Sequence, residues 1–121
     1  VQPRNLGLLP RPDGRSSPTG SCGDSLEMTL CLRAGRVAEI GFLPYGCAAT
    51  VACASILSEL AQGKSLVQAR AIRAEDVITA LEGLPPEHHH CASLAVLALR
   101  QALRDAVTGA GAEWKRPYRR L

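Results

Sequence analysis

Aromatic residues are nearly absent. Phe, Trp and Tyr make up 3% of the 121 residues, so a core must be built from Ala, Leu, Val and Ile. Charge is also sparse, at 21% charged residues and a formal net charge of +3. Lys115, Arg116, Arg119 and Arg120 fall within the last few residues, which leaves the rest of the chain close to neutral. A near-neutral body argues against a nucleic-acid-binding face. No apolar run approaches the roughly 18 residues that a membrane-spanning helix needs, so no membrane partner is expected. The opening stretch VQPRNLGLLPRPDGRSSPTG has no signal-peptide core, so export is not expected; a bacterial cytoplasm is the expected location, with the mitochondrial matrix as the alternative. It also lacks an initiator Met, so upstream residues are expected to have been trimmed. Five cysteines are an odd number, which weakens a disulfide framework. In a reducing compartment such thiols read as metal-binding or reactive.

What is present fits one domain, with 46% hydrophobic residues and enough chain to bury a core. Residues 1–21 hold four of the eight prolines and read as a loop segment with no regular element. In LEMTLCL, Leu26, Met28, Leu30 and Leu32 alternate with Glu27, Thr29 and Cys31, the pattern of a strand covered on one face. Residues 34–36 turn the chain, and a second strand follows with Ala38, Ile40 and Phe42 on a common face. Residues 47–61 predict an Ala-rich helix that Gly63 stops. Ser65 and Gln68 form a capping-box signature for a short helix. AEDVITALEG predicts another, and the last runs from about Cys91 to Val107 with a wide apolar face. The expected fold is α+β, a small hairpin-based antiparallel sheet with several helices packed on one face. Its expected extent is residues 22–108, followed by a basic tail over 109–121.

Cysteine positions then separate into two kinds. Cys22 lies at a loop-to-strand junction with Asp24 two residues on; Cys47 lies at a strand-to-helix junction; Cys91, preceded by His90, opens the last helix. All three fall at element ends that gather at one edge of a small domain, and the helix dipoles at Cys47 and Cys91 favour thiolate. Cys53 is about 240° around the helix and about 9 Å along it from Cys47. Cys31 interrupts a strand. Both read as packing residues. Three thiolates with a carboxylate and an imidazole form a soft set suited to zinc or an iron–sulfur cluster, and to neither calcium nor magnesium. Periodicity leaves zinc and iron–sulfur equally open.

PRNLG, CGDSLEMTL, YGCAATVACAS, GKSL, LPP and HC before an apolar helix stand in the order found in the U-type iron–sulfur scaffolds. The chain resembles that family, IscU and the N-terminal domain of NifU, from about Pro3 to Val107. The resemblance implies a non-enzymatic scaffold on which a [2Fe–2S] cluster is built from iron and from sulfur supplied by a cysteine desulfurase. The cluster is then delivered to apo-proteins, with the scaffold acting as a monomer or homodimer. Position by position it implies Cys22, Asp24, Cys47, His90 and Cys91 as ligands, with zinc as an occupant of the cluster-free form. His88 and His89 fall outside that set and read as solvated loop imidazoles.

LPPEH stands at residues 84–88 where the chaperone-binding branch has LPPVK, so weak or no binding to an Hsp70-type chaperone is expected. No insertion is visible between Ile56 and Lys64 or between Ile72 and Val77. That favours a scaffold over the alternative of a zinc-bound, SufU-like sulfur acceptor. An enzyme using Cys91 as nucleophile beside a histidine base is disfavoured, because adjacent side chains at a helix start rarely point together. The tail EWKRPYRRL reads as solvated, with partner docking as the alternative.

Overall fold

A computed structural model describes residues 5–21 and 23–108. Three strands form one antiparallel sheet in the order β1-β2-β3: β1 (Gly14–Ser16), β2 (Ser25–Arg33) and β3 (Arg36–Tyr45). Four helices follow: α1 (Ala48–Ala61), α2 (Leu66–Arg70), α3 (Ala74–Ala80) and α4 (His89–Val107), the last preceded by a 3-10 turn over Pro86–His88. The α+β expectation holds, with the hairpin enlarged by a third strand.

Cross-strand pairs Leu26–Pro44, Met28–Phe42 and Leu30–Ile40 stack the apolar face of the hairpin. Leu26, Met28, Leu30 and Phe42 are fully buried there with Leu57, Leu99 and Leu103 from the helices. Burying each large side chain contributes about 1.5–3 kcal/mol, which lets a core with one Phe hold together. The pairing slips between Cys31 and Leu32, so that Leu32 faces Val37 and Ala38 is the extra residue of a bulge. Val37, and not the expected Ala38, therefore enters the core, and Leu32 is left half-buried. Thr29 on the opposite face is also buried: its hydroxyl donates to Gly41 O and accepts from Leu9 N.

β1 lies inside the segment expected to be a loop. Three residues cannot show an alternation; β1 forms because β2 offers an unpaired edge and α4 packs on it. Ser16 Oγ donates to Ala98 O at 2.7 Å and Arg15 N to Asp105 Oδ2 at 3.0 Å. Gly14 is required for this approach, since a Cβ there would strike Ala102 O and Ala106. The far edge of β3 is covered too. Gly7 N donates to Phe42 O and Phe42 N to Asn5 O near one end, and Val37 N to Lys64 O near the other. Such cover removes a template for edge-to-edge pairing.

α2 begins at its capping signal, whereas α4 begins at His89, two residues before the expected Cys91, with no side-chain cap. Ser65 and Gln68 complete the reciprocal capping box of α2. On α4, Leu94, Ala95, Ala98, Leu99, Ala102 and Leu103 are buried, whereas Leu97 is 43% exposed, outside the stripe that faces the sheet. Because β2 and β3 are antiparallel, the start of β2 lies beside the end of β3, with Ser25 opposite Tyr45. α1 starts from that corner and packs against α4, so three chain segments converge at one edge.

Candidate metal centre

Asp24, Cys47 and Cys91 reach that edge from three different elements. Cys47 is the N-cap of α1 and exposed, while Cys91, in the first turn of α4, is fully buried. Their sulfurs are 3.9 Å apart. Two thiolates on one tetrahedral zinc at bonds of about 2.3 Å stand about 3.8 Å apart, so this spacing fits a shared metal with little movement. His90 Nε2 lies 3.4 Å from Cys91 Sγ, so these adjacent side chains do meet, contrary to the expectation for neighbours at a helix start. Cys22, expected as a further ligand, lies outside the described residues, as does the basic tail.

Thr50 ties the group together. Its buried hydroxyl stands 2.7 Å from Asp24 Oδ2, 3.4 Å from Cys91 Sγ and 3.7 Å from Cys47 Sγ. Cys47 N donates to the same Asp24 oxygen at 3.3 Å. The Asp24 carboxylate, one residue before β2, thus accepts from both the N-cap N–H of α1 and the Thr50 hydroxyl in its first turn. Gly46 leaves room for this, because a Cβ there would land on the Asp24 carboxylate.

The two thiols are pushed in opposite directions. The Thr50 N–H, followed by its hydroxyl, holds the Cys47 thiol below its ordinary range. Burial pushes the Cys91 thiol up, against the hydroxyl of Thr50, and the neighbouring Cys47 and Asp24 add to the rise. The helix start therefore favours thiolate at Cys47 only; at Cys91 desolvation outweighs it, contrary to the expectation from helix position. A soft cation placed between them would supply the charge that Cys91 needs to ionise.

Cys53 and Cys31 stay apart from this edge. Cys53 is fully buried in the core, its thiol pushed up to about 12 by desolvation. Cys31 is half-buried, with its sulfur 3.4 Å from Arg11 O.

The three histidines do not behave alike. His89 is exposed, its Nε2 2.7 Å from Leu84 O. His88 is half-buried, and it brings a ligand atom to within 4.8 Å of Cys47 and Cys91. It is no solvated loop imidazole. Thr50 and His88 are the residues that sequence reasoning missed. The spacing from Cys47 to Thr50 was a usable signal, since N-cap and N3 groups meet on one helical turn.

Fold and site together define a small α+β domain with two cysteine sulfurs, a carboxylate and two imidazoles gathered at one edge. A sequence model of the NifU-like N terminal domain matches residues 1–108, and the chain belongs to that family. It is 38% identical over 104 residues to the iron–sulfur cluster assembly scaffold protein IscU 1 of Archaeoglobus fulgidus, spanning 85% of this chain and 68% of that protein. Against the scaffold protein IscU of Escherichia coli the identity is 35% over 108 residues, 85% of this chain and 84% of the relative. The crystal structure of a SUF-system scaffold protein from Fervidobacterium islandicum has the same fold. Its TM-score is 0.68 at 19% identity, with 83% of this chain and 87% of that one covered.

Proposed function

We propose that this protein is a scaffold on which a [2Fe–2S] cluster is assembled from ferrous iron and from sulfur released by a cysteine desulfurase, then passed to apo-proteins. An external electron donor supplies the further electrons that bring that sulfur to sulfide. The observation that carries this reading is the pair of sulfurs 3.9 Å apart, one exposed and one buried, beside a carboxylate and an imidazole. Membership of a family whose relatives are named iron–sulfur cluster assembly scaffolds supports it. The proposed ligands are Cys22, Asp24, Cys47, His90 and Cys91. Exposed Cys47, readily ionised, is the thiol open to incoming iron and sulfur; buried Cys91 closes the inner side.

Asp24 makes the cargo releasable. A hard carboxylate oxygen is a poorer partner for cluster iron than a thiolate and exchanges more readily. In the cluster-free protein the same oxygen is hydrogen-bonded to Thr50 and Cys47, so cargo and helix compete for it. Losing the carboxylate gives up the cap on α1, at about 1 kcal/mol, as well as the labile ligand. The proposed partners are a desulfurase and apo recipients. Glu87, exposed on the 3-10 turn, stands where chaperone-binding relatives carry Val, which weighs against an Hsp70-type partner.

Anaerobic reconstitution with ferrous iron and sulfide tests the reading. A coloured [2Fe–2S] species that moves to an apo-ferredoxin is expected. Asp24→Ala should hold its cluster longer and transfer it more slowly per bound cluster. Protein that binds zinc but never forms a cluster would favour the sulfur-acceptor alternative.

A further inference from the structure

The tract Glu87-His88-His89-His90 carries three imidazoles into the start of α4, and the backbone sorts them. Pro85 precedes the 3-10 turn, and His88 N donates to Pro85 O at 2.8 Å, fixing His88 as the N-cap of α4. One residue on, His89 is turned outward to Leu84 O. His90 sits beside Cys91, and its ring centroid is 6.5 Å from that of His88. Each imidazole thus occupies a different place around the edge.

His88 alone among them carries an orphan. Its Nδ1 is buried and has no hydrogen-bond partner. Leaving such a nitrogen buried and unpaired is unfavourable, because the hydrogen bond it made to water is lost without replacement. Independently, a ligand atom of His88, Cys47 Sγ and Cys91 Sγ all lie within 4.8 Å of one another. Tetrahedral zinc with two sulfurs and a nitrogen needs separations of roughly 3.5–3.8 Å, so closing onto an ion takes about 1 Å of side-chain movement.

We propose that His88 is a metal ligand, joining Cys47 and Cys91 around a single zinc-class divalent ion in the cluster-free protein. This rests on the reading of Cys47 and Cys91 as the cargo-binding thiols and adds a ligand that the family resemblance leaves out. The ion satisfies the buried nitrogen of His88 and supplies the positive charge that buried Cys91 otherwise lacks. It holds the two thiols on one centre, and His90 remains beside Cys91 for the cluster. The tract is a pair of alternative imidazole ligands flanking an outward-facing His89.

The test is anaerobic titration of the full chain with zinc, read by competition with a chromophoric chelator, and with cobalt, read by its visible d–d bands. His88→Ala should lose zinc affinity by about 100-fold, at least the upper end of what removing an outer-sphere contact costs, and should weaken or shift the cobalt bands. His89→Ala should stay within about twofold of the parent, as expected for an exposed side chain. Circular dichroism checks that each variant is folded. If His88→Ala fails to fold, the unsubstituted chain decides: with nitrogen-15 histidine labelling, a His88 ring nitrogen should shift to the metal-bound range on adding zinc. Unchanged affinity in folded His88→Ala, equal losses in the His88 and His89 variants, or an unshifted His88 nitrogen would each overturn the proposal. Zinc bound through His88 in a protein that forms no [2Fe–2S] cluster would refute the scaffold function and leave His88 as a ligand.

Discussion

The β2–β3 hairpin has two ends made by opposite means. At the closed end Arg33 pairs with Arg36 across a two-residue turn, and the residues there are exposed. At the open end Ser25 faces Tyr45, and the chain leaves in two directions, one residue before to Asp24 and two residues on to Cys47. Neither side chain is in the ladder, yet the ladder's register decides that they meet. The closed end is a local problem solved by backbone conformation. The open end is a tertiary one, completed when α4 brings Cys91 to the same place. Its chemistry is therefore sensitive to contacts between elements, and the turn's is not.

The largest expected effect separates the thiols at the open end from those elsewhere. Cys22→Ser, Cys47→Ser and Cys91→Ser should each abolish or strongly impair [2Fe–2S] reconstitution, followed by visible absorption and bound iron. Cys31→Ser and Cys53→Ala should reconstitute normally. Equal loss in all five would mean that the position of a cysteine in the fold does not define the site.

A second contrast lies along α1 itself. Cys47 at its start is exposed with its thiol held low, whereas Cys53 in the core is pushed up to about 12. Thiolate is the reacting form, so near neutral pH metal-free Cys47 should be alkylated about 1000-fold faster than Cys53, or more. Mass mapping after timed iodoacetamide exposure measures the ratio. The two thiols differ in stability linkage too. Cys53 has its folded pKa raised above the unfolded value, so its stabilising contribution is complete below about pH 8.5 and lost as pH climbs toward 12. Comparable alkylation of the two residues in folded protein would contradict the burial that distinguishes them.

The third effect is smaller and concerns how the open end is assembled. Gly46→Ala places a Cβ on the Asp24 carboxylate, which must swing away from Thr50 and Cys47. Denaturant unfolding should show a loss of about 1 kcal/mol, the worth of a hydrogen-bonded cap. Cluster transfer should slow as in Asp24→Ala, because the carboxylate is displaced from the site. Normal transfer together with reduced stability would assign Asp24 to capping alone.

These features differ in how visible they were before folding. The alternation from Leu26 to Leu32 announced β2, and glycines and capping residues announced the helices, because those signals are local. β1 gave none: Gly14–Ser16 is too short for a period, and it pairs only because β2 and α4 are already in place. The bulge at Ala38 was equally hidden, since one extra residue changes which of two small apolar side chains turns inward. At the site, Asp24, Cys47 and Cys91 were legible from their positions at element ends. Thr50 looked like one more residue of an Ala-rich helix. The different surroundings of His88, His89 and His90 arise where a 3-10 turn leads into α4. Sequence spacing alone does not carry that information.

The smallest effect belongs to the closed end. Ala34 and Gly35, the two central residues, have φ of 55° and 75°. Positive φ at both is the mark of a type I′ turn, whose twist matches that of the strands it joins. Gly35 adopts it freely, but Ala34 brings its Cβ close to the backbone, a strain of about 1 kcal/mol. Asn tolerates this conformation and is the preferred first residue of Asn-Gly hairpins. Ala34→Asn should therefore stabilise the fold by roughly 0.5–1 kcal/mol in denaturant unfolding. Reconstitution and transfer should not change, since the turn lies at the far end of both strands from Asp24 and Cys47. Loss of stability in Ala34→Asn would contradict the turn geometry. A change in transfer would show that the two ends of the hairpin are coupled through its register, which their separate construction argues against.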